Sequence, residues 1–326
     1  MDSAYKEEKE ERNGKTRLQG RYEIGEQIGE GSTAKVYCGW DTHIGQKVAI
    51  KVLKRKNQEI QEAFCREAER MKGLRHPGIP MLYDIWQEAG NWYLVMEYLE
   101  GLSLEQYLIK QGAMPQRQAL RGIRQLVQCL AYLHGENPPV LYLDMKPANI
   151  LMTPEGNWKL LDFGAAREKG YDRSRRERNA GTCGFAAPEQ TGQGGAGNKV
   201  DERSDIYALG KTWYNLLTGQ NPAYPPYGTL PVSCYVPDLT DGTEQIIRKM
   251  TRPLPEERYQ TTEELEQALE KLEQDDAGLD RRNGRWGWKR RGKSPFIRRI
   301  EKQLWLAQAK QEYTFYQDSC IMKSSQ

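Results

Sequence analysis

The sequence of 326 residues predicts an α+β fold with a β-rich N-terminal part and a mainly helical C-terminal part. Short apolar runs separated by glycine turns, which are typical of strands, extend from Tyr22 to Met96 around one helical pattern. After Gly101 the apolar residues recur three and four positions apart, which is typical of helices. A chain of this length can form one large domain or two lobes with well-buried cores.

Individual helices and strands follow from local patterns. The N-terminal part predicts a helix over Glu59–Leu74 and strands over Met81–Trp86 and Trp92–Met96. Three further helices are predicted over Leu104–Ile109, Gln116–His134 and Thr262–Leu272. His134 ends the apolar stripe of its helix, so we expect a packed core histidine rather than a catalytic one.

The composition is that of an ordinary soluble protein, with 38% hydrophobic and 29% charged residues. The six cysteines form no C-x-x-C pair, which argues against a disulfide framework or a zinc site and for a reducing compartment. The charged N-terminus is no signal peptide, and no apolar run is long enough to span a bilayer. We therefore expect a cytoplasmic protein without a transmembrane segment.

Both ends of the chain are highly charged. Residues 1–20 alternate acids and bases, which predicts a disordered arm. Within the tail, 274–326, residues Arg281–Lys302 contain ten Lys or Arg and one acid, so this stretch carries +9 and the remainder of the +3 chain carries −6. The tail also contains Trp286 and Trp288, and Ser294–Tyr313 has the apolar spacing of an amphipathic helix. Two interpretations remain open: a partner with an anionic surface (nucleic acid or membrane), or a charged helix that docks on the rest of the chain or on nothing.

One stretch concentrates the residues that suit chemistry. Tyr142–Asn149 reads Y-L-D-M-K-P-A-N, and D-F-G follows at Asp162–Gly164. Between them, Ile150–Met152 and Trp158–Leu161 are apolar runs joined by a Pro/Gly/Asn turn, which predicts a hairpin. Because a hairpin brings its ends together, we expect the polar side chains at those ends to converge: Asp144, Lys146, Asn149 and Asp162. Two carboxylates beside a lysine and an asparagine suit a divalent metal and phosphate oxygens.

These two motifs resemble the catalytic loop (H-R-D-x-K-x-x-N) and the metal-binding loop (D-F-G) of eukaryotic-type protein kinases. The Asp-x-Lys-Pro form resembles the Ser/Thr branch of that family, and the details around it resemble soluble bacterial kinases. Two positions depart from the pattern, since Tyr142 stands where the family usually has His and Leu143 where it usually has Arg.

The N-terminal part carries the matching nucleotide motifs. Ile28–Val36 is similar to the glycine-rich loop, with Ala34 in place of the third glycine, and Val48–Lys51 reads V-A-I-K. The resemblance implies that Lys51 contacts the ATP phosphates and pairs with a helix glutamate, which by position is Glu67, with Glu62 and Glu69 as alternatives. It also implies that backbone groups of two hinge residues bind adenine, with Met96 at the back of the pocket. The full ATP-binding set that it implies is Ile28, Gly29, Gly31, Ser32, Val36, Ala49, Lys51, Met96, Glu97 and Leu99.

Downstream of D-F-G the sequence resembles the activation segment and the structural motifs of the larger lobe. Ala165–Ala180 contains six Lys or Arg, and Gly181–Glu189 matches G-T-x-x-F followed by A-P-E. The resemblance implies that the Thr182 hydroxyl contacts the catalytic Asp and Lys. It further implies three structural residues: Glu189 and its buried partner Arg258, and Asp205, which holds the catalytic-loop backbone.

The resemblance covers Tyr22–Glu273. It implies an α+β, two-lobed protein-kinase-like domain over 21–273, with an N-lobe (21–98) and a C-lobe (99–273) that clamp ATP between them. The implied activity is transfer of the ATP γ-phosphoryl group to Ser or Thr hydroxyls of protein substrates. Asp144 would accept the hydroxyl proton, Lys146 would stabilise the transferring group, and Asn149 and Asp162 would hold Mg²⁺ or Mn²⁺.

Two alternatives to this function stay open. The altered pair Tyr142–Leu143 favours a pseudokinase, an ATP-binding scaffold without catalysis, and the basic tail favours an adaptor.

Leu143 also offers no donor to a phosphate on the activation segment. A phosphate on Ser174 would then meet only mobile arginines of its own loop, so we expect activity that is independent of phosphorylation there.

Overall fold

The computed structural model describes residues 17–31, 33–53, 57–170, 181–191, 199–224 and 230–283, with side chains described as far as residue 274. The predicted tail helix, Ser294–Tyr313, lies outside these residues, as do Ser32 and Ser174. The chain divides between Glu100 and Gly101 into two compact units, here called the N-terminal unit and the C-terminal unit. The first is built on a sheet and the second is mainly helical, which confirms the predicted α+β fold.

The N-terminal unit is a six-stranded antiparallel sheet in the order β1-β2-β3-β4-β6-β5. Ala89 and Gly90 both have positive φ, 48° and 77°, so the β5–β6 hairpin closes through a two-residue turn whose twist suits paired strands. The strands are β1 (Arg17–Leu18), β2 (Tyr22–Glu30), β3 (Ala34–Asp41), β4 (Gln46–Leu53), β5 (Leu82–Glu88) and β6 (Asn91–Glu97).

The two faces of this sheet bury different cores because side chains along a strand alternate. Val48 and Ile50 of β4 belong to a core that includes a stack of Tyr22, Trp86 and Tyr93, with ring centroids 5.2 and 5.1 Å apart. Ala49 and Leu53 face the opposite way and pack with helix α1 (Gln58–Lys72). The two-residue period therefore places Lys51, between them, on the side of the sheet that faces α1.

The C-terminal unit is organised around helix α4, nearly all of whose residues from Ser204 to Thr218 are buried. A helix that is buried on all sides forms the centre of a helical core. Short strands complete the unit: β7 (Leu102–Ser103), β8 (Val140–Leu141), β9 (Ile150–Met152), β10 (Trp158–Leu160) and β11 (Arg167–Glu168). The helices are α2 (Leu104–Gln111), α3 (Gln116–His134), α4 (Glu202–Thr218), α5 (Asp241–Met250) and α6 (Thr262–Asn283).

The predicted hairpin is present as β9 and β10, which pair in antiparallel register from Ile150–Leu160 to Met152–Trp158. It packs on α3 at Gly122, where an added Cβ would lie 2.2 Å from the Trp158 indole. Gln125 of α3 accepts a hydrogen bond from Trp158 N (2.8 Å) and donates one to Gly156 O (3.3 Å). The hairpin that carries the motif residues at its ends is thus fixed to the helical core.

Two predicted boundaries were wrong by more than two residues. The disordered arm was placed over 1–20, but Arg17 and Leu18 form β1, because Arg17 Nε bonds Glu23 Oε1 (3.0 Å) and Leu18 packs on the sheet core. The last helix was ended at Leu272 but continues to Asn283. No proline interrupts residues 273–283, and the single Gly278 costs only about 1 kcal/mol. In the described part of the chain, no helix is long and apolar enough to cross a membrane.

Candidate active site

In the N-terminal unit, the lysine of the V-A-I-K motif lies against one glutamate of α1. Lys51 Nζ is 2.6 and 2.9 Å from the two carboxylate oxygens of Glu67. Glu67 is on the buried face of α1 with Phe64 and Ala68, spaced three and four residues apart, whereas Glu62 and Glu69 are exposed. Of the three candidates, Glu67 is therefore the carboxylate beside Lys51.

The glycine-rich stretch forms the turn between β2 and β3. Gly31 N donates to Ala34 O at 2.9 Å, and Gly29 pairs with Val36. Ala34, at the position of the family's third glycine, is buried in the core with Ala49 and Leu53, so its methyl group points away from the turn. Ser32 lies outside the described residues.

The remaining residues of the predicted ATP-binding set have different environments. Met96 is buried in the core on the α1 side of the sheet. Glu97 ends β6, and its N–H donates to Met81 O at 2.8 Å. Leu99 lies in the irregular segment after β6, and Ile28 is 45% exposed.

In the C-terminal unit, four polar side chains join in one hydrogen-bonded group, here called the Asp144 cluster: Asp144, Lys146, Asn149 and Thr182. The Thr182 hydroxyl donates to Asp144 Oδ1 (2.7 Å) and accepts from Lys146 Nζ (2.6 Å). Lys146 Nζ is also 2.9 Å from Asp144 Oδ2, and Asn149 Nδ2 donates to the same oxygen at 2.7 Å. The carboxylate is thus held from three sides and keeps a fixed orientation.

Asp162 lies next to this cluster because a backbone hydrogen bond joins the residue before it to Asn149. In that bond Leu161 N donates to Asn149 O at 2.9 Å. Asp162 Oδ1 accepts from Gly164 N at 3.0 Å, which closes the D-F-G turn. Asn149 uses its amide nitrogen toward Asp144, both for the carboxylate and for the backbone carbonyl (3.0 Å), and no described residue donates to its Oδ1. The Asp162 carboxylate and the Asn149 amide oxygen are therefore the candidate metal ligands at this end of the hairpin.

These two oxygen ligands suit Mg²⁺ better than they suit a metal ion that is coordinated by protein side chains alone. Mg²⁺ is usually bound through one or two carboxylates together with waters and phosphate oxygens of the substrate. The described residues contain no group of three or more His, Cys, Asp or Glu that could enclose a metal ion. The arrangement suits a metal that arrives with a nucleotide.

Tyr142, a departure from the family pattern, is fully buried and packs edge-on against Phe163, with ring centroids 5.3 Å apart and planes at 77°. Its hydroxyl lies 3.5 Å from Asn149 O. Burial, with Asp162 and Asp144 nearby, raises the pKa of this phenol well above its usual value, so it stays neutral. By its sequence Tyr142 reads as the loss of a family residue, but in the structure its ring supports Phe163 of the D-F-G turn. An aromatic residue at a motif position was the only signal in the sequence.

Leu143 has a backbone that non-glycine residues rarely adopt, with φ of 65°. Asp205 holds it in place: its carboxylate accepts from Leu143 N (2.7 Å) and from Tyr142 N (2.9 Å). His134 Nε2 lies 2.9 Å from the same carboxylate. His134, predicted to be a core histidine, thus packs against the group that fixes the catalytic loop.

Glu189 and Arg258 form a buried bidentate ion pair, with distances of 2.7 and 2.9 Å. Both side chains are wholly buried, and the guanidinium also lies over the Tyr207 ring at 4.8 Å. Ser204 Oγ donates to Glu189 at 2.7 Å. The pair fastens the end of the A-P-E segment to the loop before α6.

The start of the activation segment corrects one expectation. Arg167 and Lys169 are two of the six Lys or Arg of this segment, whose arginines were expected to be mobile, but Arg167 is buried in β11 and pairs with Leu141 of β8. Lys169 Nζ is 2.7 Å from Glu202. Strand pairing therefore positions Arg167, and an ion pair positions Lys169. The other four basic residues lie in 171–180, outside the described residues.

Comparison with known proteins agrees with the geometry. Residues 22–279 match the protein kinase domain family. Serine/threonine-protein kinase PrkC of Bacillus subtilis is 34% identical over 265 residues, which cover 77% of this chain and 40% of that protein. Probable serine/threonine-protein kinase SCO3848 of Streptomyces coelicolor is 33% identical over 279 residues (78% and 40%), and PknB of Mycobacterium tuberculosis is 32% identical over 269 (76% and 42%).

This chain therefore spans about two fifths of the length of these relatives. The family match, in contrast, covers most of the chain and includes both nucleotide motifs, the catalytic loop and the D-F-G turn. The chain belongs to the protein kinase domain family.

Proposed function

We propose that this chain is a serine/threonine protein kinase that transfers the γ-phosphoryl group of ATP to Ser or Thr hydroxyls of protein substrates. The observation that carries the proposal is the Asp144 cluster, in which one carboxylate is oriented by an ammonium, an amide and a hydroxyl. The names of the relatives, all serine/threonine-protein kinases, support the same reaction.

Asp144 is the proposed base, which orients the substrate hydroxyl and accepts its proton as the oxygen attacks the γ-phosphorus. Lys146, already beside that carboxylate, offsets the negative charge on the transferring group. Thr182 bonds both side chains and so keeps them at one separation. Positioned charge of this kind is the main source of catalysis in phosphoryl transfer.

The nucleotide is ATP with Mg²⁺, with Mn²⁺ as a substitute. Asn149 Oδ1 and the Asp162 carboxylate would hold the metal, which supplies charge neutralisation on the phosphate oxygens. Lys51, oriented by Glu67, would contact the α- and β-phosphates, and the backbone of Gly29 and Gly31 would approach them closely. The Glu97 carbonyl and the Leu99 backbone would bind adenine against Met96.

The direct test is Asp144→Asn, assayed with labelled ATP, Mg²⁺ and a generic basic protein. The substitution should lower the rate by about 10²–10⁴, the usual contribution of a positioned acid–base group. Binding of Mg·ATP should change little, whereas Asp162→Asn should weaken it. Asp238→Asn, an exposed aspartate of the same unit, is the control and should keep the wild-type rate. Wild-type turnover in both Asp144→Asn and Asp162→Asn would refute the proposal.

Two finer statements belong to the same proposal. The five described cysteines are free thiols, which supports a reducing compartment such as the cytoplasm. The basic tail would bind an anionic partner, either nucleic acid or an anionic membrane surface, on the strength of its charge. The tail lies outside the described residues from 284 onward, so its sequence alone supports this partner.

A further inference from the structure

Gln190 follows directly after the A-P-E motif and is wholly buried. Its amide bridges two backbone segments: Nε2 donates to Leu143 O at 2.9 Å, and Oε1 accepts from Ala187 N at 3.1 Å. The backbone N–H of Gln190 also donates to Ala187 O at 2.9 Å, which fixes the short 3-10 turn on which the side chain stands. A buried amide with both ends occupied restrains what it touches, since an unpaired buried polar group is costly.

The carbonyl that Gln190 binds belongs to the strained residue immediately before Asp144. Leu143 has φ of 65°, and its side chain is fully buried. A non-glycine residue keeps such a backbone only where its surroundings over-determine it. Asp205 holds the N–H of Leu143 (2.7 Å), and Gln190 holds its C=O, so the residue is fixed on both sides.

Gln190 also lies against the turn on the other side of the carboxylate. A Cβ added to Gly181 would be 3.2 Å from Gln190 Nε2, so the side chain packs closely on the residue before Thr182. Thr182 donates to Asp144 Oδ1 at 2.7 Å. One side chain therefore contacts the backbone that leads into Asp144 and the turn whose hydroxyl orients it.

We propose that Gln190 is a positioning residue for the phosphoryl transfer: it holds the strained Leu143 carbonyl and the Gly181–Thr182 turn so that the Asp144 carboxylate faces the substrate hydroxyl. The proposal rests on the proposed kinase function. Gln190 touches no reacting atom and acts through the orientation of Asp144. Loss of its amide should therefore lower turnover without changing nucleotide affinity.

The test uses the full chain and two single variants of Gln190. Gln190→Met keeps the length of the side chain and removes both hydrogen bonds, and Gln190→Glu keeps an acceptor for Ala187 N but, as a carboxylate, has no hydrogen to donate to Leu143 O. Gln116→Met is the control, because Gln116, at the start of α3, also accepts from a backbone N–H, that of Thr240 (3.4 Å), and donates through its amide, to the Thr240 and Thr243 hydroxyls (3.0 and 3.2 Å). All four proteins are compared in the kinase assay, in Mg·ATP binding and in hydrogen exchange of the segment 141–146.

Both Gln190 variants should lower kcat about tenfold or more, with the Kd for Mg·ATP within about twofold of wild type. They should also speed exchange in 141–146, and Gln116→Met should do neither. The proposal would be overturned if exchange in 141–146 stayed unchanged in both Gln190 variants. It would also be overturned if exchange became faster while the folded variants kept the wild-type kcat. An equal loss of kcat in Gln116→Met would overturn it too, because the loss would then be a general effect of destabilisation. A wild-type chain without turnover would instead refute the kinase function. The exchange result would then still show whether Gln190 restrains the segment 141–146.

Discussion

Removal of the guanidinium at position 258 tests how far the C-terminal unit depends on one buried ion pair. Arg258→Met keeps a long apolar side chain but leaves the Glu189 carboxylate buried, with Ser204 as its remaining donor among the described residues. The three backbone carbonyls that Arg258 also serves lose their donor: those of Arg203 (3.0 Å), Arg252 (2.8 Å) and Pro253 (2.8 Å).

The expected magnitude follows from full burial of both partners. Breaking a buried pair by removing one partner costs about 3–5 kcal/mol, because the remaining charge is unpaired. The lost carbonyl bonds act in the same direction, so the upper half of this range is expected. With a urea m-value of about 2 kcal/mol/M, the unfolding midpoint should fall by about 2 M. That is a large fraction of the stability of about 5–15 kcal/mol that proteins have.

Urea unfolding followed by circular dichroism at the helical minimum is the assay, because most helices belong to the C-terminal unit. Arg66→Met is the control: Arg66 and Glu62 form a largely exposed i,i+4 pair at 3.5 Å, which should contribute less than about 1 kcal/mol. Adding Glu189→Gln to Arg258→Met should recover part of the loss, since it removes the unpaired charge. If Arg258→Met shifts the midpoint no more than Arg66→Met does, the reasoning from burial is wrong.

Three further predictions concern the catalytic loop, the activation segment and the tail. Tyr142→Phe keeps the ring against Phe163 and should retain kcat within about threefold, whereas Tyr142→Ala should lose about 3–5 kcal/mol of stability and most activity; equal kinetics in the two variants would contradict the packing role. Ser174→Ala and phosphatase-treated protein should keep near-full activity because Leu143 offers no donor to a phosphate; a loss of about tenfold or more would point to another cation, such as the buried Arg167. Truncation after Asn283 should abolish retention on a polyanion or on anionic vesicles, and retention of the full chain should fall steeply with salt; a full chain that is not retained even at low salt would exclude an anionic partner.

Much of the candidate site could be predicted from the sequence because the relevant patterns are local. The β9–β10 hairpin follows from two apolar runs and a turn, and it brings Asn149 and Asp162 to neighbouring positions whatever surrounds it. The α3 boundaries, Gln116–His134, were predicted without error because apolar residues recur along the whole helix. Lys51 stood out as a lysine at the end of an apolar strand.

Other features depend on residues far apart in sequence, so only the tertiary structure decides them. Glu67 could be chosen over Glu62 and Glu69 only by position in the motif, and the packing of α1 on the sheet is what turns it toward Lys51.

Tyr142 reads as a lost histidine until Phe163 is seen against its ring. The amide of Gln190 meets Leu143 across 47 residues, and no local pattern marks a glutamine as the donor to a strained carbonyl. Sequence determines which side chains are available and where the chain turns. Which of them meet is decided by burial, since a polar group removed from water must find its partner wherever the fold brings one.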